Sequence, residues 1–385
     1  MPGKDGESES IADKYFVCTE CLVEGNVQSF VDLFYLTHSQ DAAKEQSQQQ
    51  QQQQSQQQAL NEESTTSFAT YDVLQFLKNK LTEAEVAQRE GGYDIVFESF
   101  METARHFKSK SDHKRVIYFL TKCLEVARLS QDVAREAEAN EMLGLTKEEM
   151  GQLKEAIQYH EAHRDLVSSY GREMTDQAGH NLIRAYRRLA EELQKQGDVE
   201  GSIMYFQKSL KSAIDINDQE EEGKSYRLLG SAYLLLQDYE LSASNFHKFL
   251  SICQETQDRV SEGLACSHLA TAYEAKGDRA SSIKFLEEYY EIALSTGELN
   301  SQREACGRLG IIFNAAADFN RSVEYFTKAF EISRSLGDKK AIDVDRVNLG
   351  IARGCAKQKD YIRVVNSEFT SLMSWKSRRI PFERE

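Results

Sequence analysis

Cys18-Thr19-Glu20-Cys21 is the first arrangement in this chain that could do chemistry, since two thiols so spaced can cycle through a disulfide or supply half of a zinc site. No second pair and no nearby Cys/His cluster completes four ligands, so the pair is assigned to packing. His160 and His163 stand at i and i+3 on one helical face and could share a metal, with His180 as a distant third ligand. They occupy positions that elsewhere hold Phe206 or Phe246 and Ser209 or Phe249, which places them in a core instead. Gly91-Gly92 precedes neither a lysine nor a strand pattern, so no phosphate-cradling loop is present. No nucleophile elbow, H-E-x-x-H or paired catalytic carboxylates stand out from the general acidity. The expectation is a non-enzyme with no cofactor, no metal and no small-molecule substrate.

The elements that carry these residues repeat. Leu229-Gly230, Leu269-Ala270 and Leu309-Gly310 lie forty residues apart, each followed by an aromatic residue (Tyr233, Tyr273, Phe313) and then by Ser242, Ser282 and Ser322. Leu349-Gly350 continues the register toward the C-terminus, and Leu189-Ala190 with Ser202 continues it toward the N-terminus. Leu143-Gly144 with Ala156 sits 46 residues earlier, so six residues are inserted around Tyr170 to Gln177, and one further step reaches Thr103-Ala104. A fixed period of this length marks a solenoid. Leu, the small residue and the aromatic share one face of a first helix, while Ser242, Phe246 and Phe249 share one face of a second. The small residues stand where two backbones must approach.

Composition agrees with such an array. The 385 residues carry 40% hydrophobic and 28% charged side chains, ordinary values for a helical protein that folds in water. A net charge of −15 argues against broad binding to nucleic acid or an anionic membrane. Seven scattered cysteines are an odd number, which disfavours a disulfide framework, and neither a leader-like apolar stretch nor a long apolar run is present. Residues 1–40 read as an N-terminal helical segment, in which Ser29 to Phe34 is amphipathic enough to need a partner surface. Residues 41–67 hold the glutamine tract, eleven glutamines and two serines between Gln46 and Gln58, expected to be a disordered linker. Residues 68–90 read as a capping helix, 91–374 as the array and 375–385 as a basic tail after Trp375. The last repeat is irregular, with Asp360-Tyr361 two residues late, and is expected to close the array.

This pattern resembles the tetratricopeptide repeat, a helix-turn-helix with small residues where its helices touch. The resemblance implies an all-α, right-handed superhelical solenoid of about seven repeats. Gly151, Gly197 and Gly277 fall at the interhelical turn, and Asp198, Asp238, Asp278 and Asp318 are placed to cap the second helix. The repeat is 40 residues long where the family has about 34, and it lacks the closing proline.

In that family the first helix of each repeat lines an inner groove, and the resemblance carries Arg184, Arg187, Lys224 and Arg227 onto it. Arg188, His268 and Arg308 stand on adjacent turns, with Leu234 and Leu235 beside them, while the second repeat offers Glu138 and Glu141 instead. Such a band suits an acidic peptide, unless Glu191, Glu192 and Glu220 to Glu222 neutralise it as solvated pairs. The two-carboxylate clamp of chaperone-binding members is absent, since Arg187 is followed at the diagnostic spacing by Glu191 and Arg227 by Ser231.

Gly151-Gln152-Leu153 with Glu155-Ala156, Gly350-Ile351-Ala352-Arg353, and Thr370-Ser371-Leu372 running into Ser374-Trp375-Lys376 are together similar to axonemal tetratricopeptide repeat proteins of motile cilia and sperm flagella. That resemblance implies a non-catalytic scaffold of the axoneme, with dynein-arm or doublet-microtubule proteins as partners. The alternative is a cargo or polarity adaptor of the kinesin-light-chain or spindle-orienting kind.

Overall fold

The computed structural model describes residues 5–37, 70–168, 171–367 and 369–378; the glutamine tract and the end of the basic tail lie outside these. Every regular element among the described residues is an α-helix. The chain divides into two compact units, Met1–Leu189 and Ala190–Glu385. The N-terminal unit holds α1 (Asp5–Val23), α2 (27–37), α3 (Tyr71–Arg89), α4 (Tyr93–Ser109), α5 (His113–Ser130), α6 (Val133–Glu149), α7 (Leu153–Val167) and most of α8 (Arg172–Lys195). The C-terminal unit holds the end of α8, then α9 (Val199–Asp215), α10 (Gln219–Leu235), α11 (Tyr239–Glu255), α12 (Arg259–Lys276), α13 (Arg279–Thr296), α14 (Leu299–Ala315), α15 (Phe319–Leu336), α16 (Lys339–Ser367) and α17 (Phe369–Arg378).

One turn chemistry builds most of both units. After Tyr233 the chain passes through Gln237 at φ 62°, and the Asp238 N–H then donates to the Tyr233 carbonyl, closing α10. The Asp238 carboxylate accepts from the Leu241 N–H at 3.1 Å and opens α11. A single aspartate thus ends one helix with its backbone and starts the next with its side chain. The same pair of bonds recurs at Asp198, Asp278 and Asp318, and also at Asp112, Asp218 and Asp258. Left-handed residues accordingly recur every 20 residues from Gly197 to Gly337, so the 40-residue period contains a 20-residue half-period.

The crossings within pairs show why small residues recur. A Cβ on Gly230 would lie 2.6 Å from Phe246 Cε1, and one on Gly310 would lie 2.7 Å from Phe326 Cδ1. Ser242 and Ser322 donate their hydroxyls to the Gly230 and Gly310 carbonyls at 2.8 and 2.9 Å, so serine hydrogen-bonds at the contact as well as fitting it. Ala190 and Ala270 take the same place against Phe206 and Leu286, and Ala156, Ser202 and Ser282 are buried on the partner helices. In the N-terminal unit the ring across from Gly144 is His160, whose Cε1 would lie 2.5 Å from an added Cβ.

Two features depart from the regular pattern. Helix α8 has 24 residues where most helices have 17 or 18, and it absorbs the six-residue insertion at its N-terminal end. The expected break at Asp360 is absent, because α16 runs 29 residues from Lys339 to Ser367. The half-period places the next turn at 357–358, where Lys357-Gln358 supplies neither a left-handed glycine nor a capping aspartate. Gly350 meets nothing within 4 Å and is not part of a crossing. The side chain of Trp375 lies outside what is described.

Candidate partner-binding face

Three of the cations assigned to the groove, Arg184, Arg188 and Arg308, are held by carboxylates contributed from a different helix. Arg188 reaches the Glu148 carboxylate at 3.4 Å, and Arg308 reaches Glu274 at 3.0 Å. The two pairs occupy equivalent places in the register, so this is one inter-repeat bridge used twice. Arg184 also binds Glu148, at 2.9 Å, and Asn181, at 3.0 Å. Arg308 is the more committed, donating to the Ser267 carbonyl and hydroxyl and to Thr271 Oγ1 as well. Lys224 bridges Glu220 and Glu221 on its own helix at 2.6 and 2.9 Å. Sequence proximity pointed to the wrong carboxylates for Arg184 and Arg188, since Glu148 lies 36 and 40 residues away.

Glu148 is buried at 3% exposure, and its second oxygen accepts from His160 Nε2 at 3.1 Å. Burial alone would raise its carboxyl, but hydrogen bonds from His160 and Arg184, with the Arg184 charge, hold it below the ordinary 4.5. His163, one turn on, is pushed below its ordinary value by burial against the opposing pull of Glu141. Glu148 was legible only through the recurrent glutamate four residues after the small residue, which reappears as Glu274.

In the C-terminal unit Arg227 differs from its neighbours. It is half-buried on α10, and among the described residues its guanidinium has no ion-pair or hydrogen-bond partner. His268, on α12, stacks on Phe246 with ring centroids 4.9 Å apart. Burial first, then the charges of Arg227 and Arg308, push its pKa down to about 4, so it is neutral near pH 7. His268 therefore lies near two arginines, of which Arg308 is paired with Glu274 and Arg227 with no carboxylate among the described residues. Leu234 is half-buried and Leu235 exposed on the same helix, while Arg187 is half-buried in the N-terminal unit.

The remaining sequence candidates are packing groups. Cys18 and Cys21 are buried with raised thiol pKa values, Cys21 to about 11, and Cys253, Cys266 and Cys306 are each pushed up to about 12 by burial. Among the described residues no group of three or more His, Cys, Asp or Glu could hold a metal ion, and no helix is long and apolar enough to cross a membrane.

Helix pairs of constant stride, small residues at each crossing and one capped turn repeated throughout define an all-α array of tetratricopeptide-type repeats. No family model matches the chain. Among curated proteins it is similar to tetratricopeptide repeat protein 29 of Rattus norvegicus, 28% identical over 231 residues that cover 57% of this chain and 47% of the relative. The protein of the same name from Mus musculus is 29% identical over the same shares, and that from Trypanosoma brucei brucei is 25% identical over 59% of this chain and 44% of the relative. The chain spans about half the length of the curated relatives it matches. Among solved structures, BtubC from P. vanneervenii aligns over 59% of this chain and 93% of its own at 15% identity and a TM-score of 0.41, a likeness too loose to bear on function.

Proposed function

We propose that this protein is a non-catalytic protein-interaction scaffold of the ciliary or flagellar axoneme, contributing to axoneme or dynein-arm assembly and so to beating. Its first-helix face takes an acidic segment of a larger axonemal partner. The observation that carries the reading is Arg227, a half-buried cation without a counter-charge among the described residues, beside a neutral His268. An incoming carboxylate would restore the balance that Glu148 and Glu274 provide for the bridged arginines. The likeness to tetratricopeptide repeat protein 29 across mammals and a trypanosome supports the same reading.

The test is retention. The intact chain, tagged and expressed in flagellated cells, is expected to stay with demembranated flagella. The Arg227→Glu variant is expected to be released at lower salt, with its helical circular dichroism unchanged. Complete recovery of the unmutated chain in the detergent-soluble fraction would refute the axonemal assignment. Equal retention of both proteins would refute the role of Arg227.

A further inference from the structure

Helices α1 and α2 form a hairpin that is anchored on one side and apolar on the other. The Glu85 carboxylate of α3 accepts from the Ser29 N–H and hydroxyl, both at 2.7 Å, and from the Gln28 N–H at 3.3 Å, and so caps the start of α2. Lys78 bridges Glu20 and Glu24 at the end of α1, Arg89 donates to the Gly25 carbonyl, and Asp32 accepts from Tyr118 at 2.8 Å. Val17, Cys18, Cys21, Leu33 and Leu36 are buried beneath. These bonds hold the hairpin in one orientation, so what it shows to solvent is a built surface.

That surface carries Tyr15, Phe16 and Val23 from α1 and Val27, Val31 and Tyr35 from α2, all between 49 and 83% exposed. At 100° per residue each set falls within one arc of its helix, opposite the buried arc. Leu22 and Phe34 widen the patch. Side chains of this size at this exposure present on the order of 600–800 Å² of surface, above the largest patch of an ordinary monomer and close to one partner's share of a standard interface. No charged residue lies within the two arcs, and the rim carboxylates Glu20 and Glu24 are already paired with Lys78.

We infer that this face binds the same face of a second copy of the chain, two α1–α2 hairpins packing as four helices. The choice of occupant follows from the chemistry of the patch. Apart from the Tyr15 and Tyr35 hydroxyls it is apolar, it carries no charge that would select an oppositely charged partner, and its area matches one partner's share of a standard interface, so the same face of a second copy satisfies it. Two chains of net charge −15 can meet there because the charge lies elsewhere.

Sedimentation velocity of the full chain from about 1 to 50 μM, a range chosen to bracket a micromolar Kd, is the test. The expected result is a concentration-dependent dimer. Val31→Asp and Val23→Asp, both at exposed positions, are each expected to weaken it at least tenfold with helical circular dichroism and Tm unchanged. A monomer at every concentration overturns the inference. A dimer that both aspartate variants leave intact overturns it equally, because the contact would then lie elsewhere.

Discussion

The crossings at Gly144 and at Gly230 solve one steric problem with opposite chemistry. Both put an aromatic ring against a helix that has no Cβ to obstruct it. At Gly230 the ring is Phe246, and the crossing is apolar apart from the serine hydroxyl on the glycine carbonyl. At Gly144 the ring is His160, which brings a buried polar edge and with it Glu148, Arg184 and Arg188. Shape is what the repeat requires. Polarity is free to vary provided every buried charge is answered, and the answering groups then tie one repeat to the next.

The largest test of this difference is to remove the shared carboxylate. Glu148→Ala removes the acceptor that His160 and the two arginines share, and is expected to destabilise the N-terminal unit by about 1.5–3 kcal/mol in chemical denaturation. Glu148→Leu with His160→Phe rebuilds the crossing after the residues found at Leu234 and Phe246, and is expected to recover most of that loss. If the double variant is no better than the single one, the charged crossing is not interchangeable with the apolar one.

At the apolar crossing, Gly230→Ala forces a methyl toward the Phe246 ring and is expected to cost about 1–3 kcal/mol. Adding Phe246→Leu imitates the pairing of Ala270 with Leu286 and should return part of it, as a positive coupling in a double-mutant cycle. Ser242→Ala, which keeps the size and deletes the bond to the Gly230 carbonyl, should cost only about 1 kcal/mol by the same measurement. Strict additivity of Gly230→Ala and Phe246→Leu would mean that ring and glycine do not meet.

Acid should separate the two crossings further. Glu148 has a folded pKa below its unfolded value, so its contribution is complete above 4.5 and lost as pH falls through the folded value. His268 and His163 have folded values depressed from 6.5, and their contributions decline as pH drops below 6.5, for His268 toward about 4. Melting temperature is therefore expected to fall in two ranges, and His268→Phe should flatten the upper one. An unchanged profile in that variant would show that the stacked imidazole does not carry it.

The repeat was legible in the sequence because burial at a crossing restricts residue type at a fixed spacing. Gly230, Ser242, Gly310 and Ser322 can be found by counting, and Asp198, Asp238, Asp278 and Asp318 likewise. The 20-residue half-period was hidden because the left-handed turn position accepts Gln237, Asn217 or Ala317 as well as glycine. The break expected at Asp360 failed for the converse reason: a lone aspartate without the left-handed residue before it does not stop a helix, and α16 continues.

Taken alone, the sequence determined that the chain is a helical array, where its helices touch and how most of them are capped, since those depend on residues close in sequence or at constant stride. Only the tertiary structure decided which arginines are already paired within the chain. Ion pairing depends on distance between atoms, and the carboxylates that occupy Arg188 and Arg308 come from 40 and 34 residues away on another helix, while Arg227 has no ion-pair partner among the described residues.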